Sequence, residues 1–237
     1  MQFFILVILI CLFVFLYCVY LLANDDFIFL RRDVTMEKLF NLIFLGGLIS
    51  LFSARLFYGF GEKSIFANPF VFLLFPYFPG LSLLGGVLGA VVTLLFLANR
   101  RKNLLPLGRM ADFFSIAFLV TLPVGFLGFL MFSETGFPAI KAGSMVVTYL
   151  ILFVIFLKFL LPQLLNGKLK EGTITLLFLI CFSVVSLISN AFPKINFSAF
   201  LKTPENLILI AVLILSLIFL IKQEKLLIKV KKYWDGP

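Results

Sequence analysis

The sequence contains no histidine, a single tryptophan, three cysteines and only 13% charged residues. Each shortage excludes something. Without histidine the chain lacks the commonest general base at neutral pH and the commonest ligand for zinc or copper. Cys11, Cys18 and Cys181 lie inside apolar runs, so they read as small buried hydrophobes rather than a disulfide framework or a metal set. No metal and no other cofactor is expected. A chain that is 62% hydrophobic, with a mean hydropathy of +1.18, has too little polar surface to face water on all sides. Its apolar runs are long and unbroken, which also excludes a β-barrel, whose strands would alternate polar and apolar residues.

What is present is the pattern of an all-α polytopic membrane protein. Seven apolar runs fall at residues 3–23, 39–60, 81–99, 110–132, 144–161, 173–192 and 206–221. At about 1.5 Å of rise per helical residue, runs of this length match the thickness of a bilayer. The first has no basic stretch before it, and Ile10 rather than a small residue precedes Cys11, so a retained helix is expected and not a removed signal peptide. No internal repeat or linker is visible. Residues 1–237 are expected to form a single transmembrane domain, with 222–237 as a basic tail resting on anionic lipid or simply solvated.

The net charge of +9 invites a nucleic-acid reading, which the distribution of charge excludes. Fifteen basic residues lie in the first, third and fifth connections with their adjoining helix ends, and in the tail: Arg31, Arg32, Lys38, Arg100, Arg101, Lys102, Arg109, Lys158, Lys168, Lys170, Lys222, Lys225, Lys229, Lys231 and Lys232. The other connections hold only Lys63, Lys141, Lys194 and Lys202. This asymmetry places the N-terminus outside and the C-terminus in the cytoplasm, as an odd number of spans requires. Two outer connections, 61–80 and 196–203, remain rich in apolar residues and are expected to dip into the membrane interface. The 33 phenylalanines are read as filling lipid-facing positions.

One stretch stands out: PGLSLLGGVLG, residues 79–89, where a turn signal is followed by Gly85, Gly86 and Gly89 inside an apolar run. Glycines on a buried helix let a second backbone or a lipid headgroup approach closely. The suggestive polar residues lie nearby in sequence. Arg55 falls within a span, where it either snorkels to the interface or anchors a phosphate or carboxylate with its planar fork. Tyr58 is one helical turn further on and is as readily an interfacial belt residue. Glu134 sits in the outer loop SETGFP, as a solvated carboxylate, a partner for Arg55 or a base. Asp112 is expected to cap the start of its own helix. Gly125 and Gly128, a turn apart, suit close helix packing or a ligand equally.

Taken in order, FLGGLISLFSARLFYGF, ANP at 67–69, GLSLLGG at 80–86, a basic loop, ADF at 111–113 and GFLG at 125–128 resemble the prolipoprotein diacylglyceryl transferase family. The likeness continues through GTITLLFLICFSVVSLISNAF into the last helix. It implies a seven-helix bacterial inner-membrane enzyme that moves the diacylglyceryl group of phosphatidylglycerol onto the lipobox cysteine of a prelipoprotein. Arg55 and Tyr58 match the family's G-G-R-[IL]-G-Y pattern, and Ser82, Gly85 and Gly86 match its S-F-H-G-G, with Leu84 at the histidine position. Gly125 and Gly128 match G-R-[IL]-G-N-F-[IV]-N, with Phe126, Phe129 and Phe132 in place of the arginine and both asparagines. Glu134 keeps the acidic residue that follows, Ser186 and Asn190 replace the family's Arg and Glu, and the outer head is cut to residues 133–143.

The resemblance therefore assigns lipid or substrate binding to Arg55, Tyr58, Ser82, Gly85, Gly86, Gly125, Gly128 and Glu134, and leaves the catalytic residue unknown. The implied partners are phosphatidylglycerol and prelipoprotein signal peptides. A non-catalytic lipid- or signal-peptide-binding protein on the same scaffold is the alternative. A transporter ranks last, because paired membrane carboxylates and matched broken helices are missing from the sequence.

Overall fold

The computed structural model describes residues 2–24, 26–32, 34–61, 80–100, 106–132, 137–191 and 203–224. Among the described residues there is no strand. The helices are α1 (Gln2–Asn24), α2 (Phe27–Arg31), α3 (Met36–Gly61), α4 (Leu83–Arg100), α5 (Leu107–Phe132), α6 (Phe137–Ile155), α7 (Leu161–Leu165), α8 (Thr173–Ala191) and α9 (Pro204–Glu224). A π-helical turn, Phe156–Leu160, carries α6 into α7.

Among the described residues six stretches are long and apolar enough to cross a membrane: Ile5–Asn24, Met36–Phe60, Leu107–Met131, Ala139–Leu165, Thr173–Ala191 and Pro204–Glu224. Leu83–Phe96 of α4 is a shorter apolar segment. The interfacial connections expected at 61–80 and 196–203 lie almost wholly outside the described residues, as do Glu134 and the tail beyond Glu224.

Helix boundaries follow local chemistry. α3 starts at Met36, ahead of the apolar run, because the Thr35 hydroxyl accepts a hydrogen bond from the Lys38 N–H (3.4 Å) and Glu37 occupies the first turn. Asp26 caps α2, accepting from the N–H groups of Ile28 (3.0 Å) and Phe29 (3.2 Å). α6 begins earlier than its apolar run, and Pro138 falls in its first turn, where a missing N–H costs nothing.

The described residues form two compact units. One comprises residues 1–107 and 124–132, and the other 108–123 and 133–237, so α5 passes from the second to the first at Pro123. In the first unit α3 packs along α4, and Ala54, Leu84 and Val87 are buried. In the second, α8 packs along α9, and Phe178 stacks edge-on against Phe118 at 5.8 Å. Half of the α5 span is buried, whereas little of α1 is. Exposed side chains such as Phe13, Leu48, Leu95 and Met131 form the apolar surface that lipid tails cover in a protein of this composition.

Candidate functional site

The first unit is organised by the crossing of α3 and α4. α3 presents Gly46, Ser50, Ser53, Ala54 and Phe57 at helical spacing, and α4 presents Gly85, Gly86, Gly89 and Thr93 in the same rhythm. Small residues on both sides let the backbones approach. A Cβ added at Gly85 would lie 2.6 Å from the Phe57 Cβ and 2.8 Å from the Ser53 carbonyl oxygen. At Gly89 it would lie 2.6 Å from the Ser53 Cβ. The Ser50 hydroxyl crosses the interface and donates to the Gly86 carbonyl (2.7 Å). The glycines expected to admit a neighbouring backbone thus admit α3.

The start of α4 is fastened to α3 by two hydrogen bonds. The Ser82 N–H donates to the Ala54 carbonyl (3.0 Å), and Arg55 Nη1 donates to the Gly80 carbonyl (2.7 Å). Ser82 then caps α4, its hydroxyl accepting from the Gly85 N–H (3.3 Å) and its carbonyl from the Gly86 N–H (3.0 Å). Gly80 adopts φ +148°, and a Cβ there would collide with the Tyr58 ring at 2.2 Å. The Tyr58 ring therefore packs against the turn, with its centre 5.9 Å from the Arg55 guanidinium carbon.

Arg55 is only 3% exposed. It does not snorkel to the surface; it turns inward to the turn before α4. The structure thus brings together Arg55, Tyr58, Ser82, Gly85 and Gly86 from the sequence-derived set. A guanidinium beside a helix N-terminus makes this end of the crossing electropositive, the setting in which phosphate oxygens are held. Leu84, at the position where the resemblance calls for histidine, is buried hydrocarbon.

Gly125 and Gly128 have their near neighbours on α1. A Cβ at Gly128 would meet Val7 at 2.5 Å, and one at Gly125 would lie 3.7 Å from Cys11 Sγ. Of the two readings open to them, close helix packing is the one visible. Glu134 lies outside the described residues.

The expectation for Asp112 needs correction. It does not cap its own helix, because α5 starts at Leu107 and Asp112 already lies in the second turn. Its carboxylate, fully buried, instead accepts from the N–H groups of Gly172 (2.7 Å) and Thr175 (2.8 Å) and from the Thr175 hydroxyl (2.9 Å), capping α8. Glu224, at the end of α9, accepts from the Thr173 hydroxyl (2.7 Å) and the Lys170 N–H (3.0 Å) at the same helix start. Arg109 Nη1 donates to the Leu164 carbonyl (3.0 Å) beside them. Sequence reading missed this double cap. Its only trace is the Gly172–Thr173 helix-start signal, which does not name a remote acceptor.

A second polar chain lies at the other end of α8. The Asn190 amide donates to Asn206 Oδ1 (3.0 Å) and accepts from Lys141 Nζ (3.5 Å). No group of three or more Cys, Asp or Glu side chains suited to a metal occurs among the described residues.

Apolar helices of spanning length, sealed at one crossing by small residues and holding a buried arginine, define a multi-pass α-helical membrane protein. The family model for prolipoprotein diacylglyceryl transferase matches residues 1–222, and the chain belongs to that family. No curated protein matches it.

Proposed function

We propose that this chain is a divergent diacylglyceryl transferase-like protein of the bacterial plasma membrane, crossing it seven times with its N-terminus outside. Its substrates are phosphatidylglycerol and the lipobox cysteine of a prelipoprotein. The lipid phosphate is drawn to Arg55 and the start of α4, while Tyr58, Ser82, Gly85 and Gly86 shape the turn around it. Glu134 lies on the same face of the membrane by the charge asymmetry of the connections. The observation that carries this reading is the family match over residues 1–222, in a chain that keeps Arg55 buried against the Gly80–Ser82 turn.

One observation favours a second reading, binding of lipid or signal peptide without transfer. The chain has no imidazole anywhere, and Leu84 is packed hydrocarbon. A lipobox thiol then has no imidazole to take its proton.

Complementation separates the two. The chain is expressed in bacteria depleted of their own transferase, and lipidation of a reporter prelipoprotein is followed by gel shift. The expected result is a modified reporter that depends on Arg55. An inserted, stable protein that binds phosphatidylglycerol and leaves the reporter unmodified establishes the binding reading instead.

A further inference from the structure

Arg55 is placed to hold a phosphate, yet it is closed off. The residue is only 3% exposed, its Nη1 donates to the Gly80 carbonyl (2.7 Å), and the Tyr58 ring centre is 5.9 Å from the guanidinium carbon. A phosphate group, with oxygens on every side, does not reach a guanidinium so enclosed unless part of the enclosure moves away.

The parts of the enclosure are not equally free to move. Ala54, Arg55 and Tyr58 belong to α3, which is held by its own backbone bonds and by its close packing on Gly85 and Gly89 of α4. The Gly80–Ser82 turn is the exception. It lies outside both helices and is tied to α3 by the bond from Arg55 and by the Ser82 N–H, which donates to the Ala54 carbonyl (3.0 Å). Gly80 sits at φ +148°, a conformation open to glycine and strained for other residues, and its lack of a side chain leaves room for the Tyr58 ring. The turn is thus seated by the same guanidinium that a lipid would bind.

We propose that the Arg55–Gly80 bond is an autoinhibitory latch: the Gly80 carbonyl occupies the guanidinium in place of a phosphate, and the anion enters only as the Gly80–Ser82 turn swings off α3. This inference rests on the lipid reading of Arg55 and adds its regulation. The exchange runs forward because a phosphate is charged and offers the planar fork two parallel bonds, where the carbonyl is neutral and takes one. Its cost is that apparent affinity falls in proportion to the fraction of molecules with the turn open. A bond to a charged group holds that fraction to about one in ten or less.

The test uses the purified full-length chain and reads two quantities. One is modification of Arg55 by an arginine-selective dicarbonyl, resolved by peptide mass; the other is affinity for short-chain phosphatidylglycerol. Short-chain diacylglycerol, with the same tails and no phosphate, is the comparison ligand. In the unaltered protein phosphatidylglycerol is expected to slow Arg55 modification, and diacylglycerol is not. Gly80→Ala drives a Cβ into the Tyr58 ring and strains the turn, so the latch does not seat. Its Arg55 is expected to react about tenfold faster, and its phosphatidylglycerol affinity to rise about tenfold. Ser82→Pro removes the N–H bonded to Ala54 and is expected to shift both readings in the same direction. Gly89→Ala strains the same helix crossing away from the turn, so it is expected to lower the melting temperature and leave Arg55 reactivity unchanged. Arg55→Lys is expected to lose phosphatidylglycerol binding. Parent-like Arg55 reactivity in both Gly80→Ala and Ser82→Pro, or an equal rise in Gly89→Ala, overturns the latch while Arg55→Lys still loses binding. An Arg55→Lys variant that binds as the parent does overturns the lipid reading of Arg55, and the latch with it.

Discussion

Asp112 and Thr175 are bonded twice across 63 positions of sequence: the carboxylate accepts from both the N–H (2.8 Å) and the hydroxyl (2.9 Å) of the threonine. A third bond from the Gly172 N–H makes Asp112 the cap of a helix to which it does not belong. In a chain with only 11 acidic residues, two of them, Asp112 and Glu224, are spent on the start of α8. The reason is physical. The first turn of a helix has N–H groups with no partner inside the helix, and at this start, where Thr173 and Ile174 are buried, remote carboxylates satisfy them.

Asp112→Ala is therefore expected to cost about 3 kcal/mol, since it strips several donors of a charged acceptor at once. Asp112→Asn should cost less, about 1–2 kcal/mol, because an amide retains one acceptor oxygen but turns a donor toward a donor. Melting curves in detergent give both values. Combining either change with Thr175→Val should be clearly non-additive, as residues in one network are. Additive losses would show that the two side chains act separately.

Much of the fold was legible because hydrophobic runs of spanning length leave few alternatives to a helix. The glycine crossing was legible too: Gly85, Gly86 and Gly89 sit in an apolar helix with no turn to form, so a close approach was the remaining use. What was not legible is the partner of each polar group. Arg55 shows that it must be satisfied, but nothing in its surroundings names the Gly80 carbonyl, 25 positions on. Asp112 looks like a self-cap because five residues of α5 precede it unannounced. Lys141, one of a few charges in its half of the connections, looks like any loop lysine until Asn190 and Asn206 are brought beside it.

The crossing makes a graded prediction for four glycines. Gly85→Ala and Gly89→Ala each force a Cβ to within 2.6 Å of α3 and should cost about 1–3 kcal/mol by overpacking. Gly86→Ala meets Ser50 Oγ at 3.5 Å, an ordinary contact, and should be tolerated. Gly47 has nothing within 4 Å, so Gly47→Ala should be neutral or stabilising by up to about 1 kcal/mol through helix propensity. Thermal unfolding of the four variants checks the order. Equal losses at Gly47 and Gly85 would mean that the helices do not meet along this face.

Arg55 combines structure with the proposed binding role, so its variants need separating. Arg55→Ala removes the donor to the Gly80 carbonyl and should cost about 2 kcal/mol or more of stability, which by itself would lower any activity. Tyr58→Phe keeps the ring against Gly80 and near the guanidinium, and should change stability by less than about 0.5 kcal/mol. If the Tyr58 hydroxyl touches lipid, this variant loses phosphatidylglycerol affinity at unchanged melting temperature. Unchanged affinity removes Tyr58 from the site.

The missing imidazole predicts the pH dependence of any transfer. A free thiol ionises near pH 8.5, so without a base the reactive thiolate grows about tenfold per pH unit below that value. Reporter lipidation by the natural sequence should therefore rise steeply between pH 6.5 and about 8. Leu84→His places an imidazole at a buried position, 7% exposed, and should cost about 1–3 kcal/mol of stability. An imidazole takes up a thiol proton effectively above its own pKa of about 6.5, so the variant's rate should exceed the parent's at pH 7 and flatten above it. Rates measured across this range on both proteins decide the matter. A flat profile in the natural sequence would mean that another group already serves as base, and Glu134→Gln would then be the variant to make.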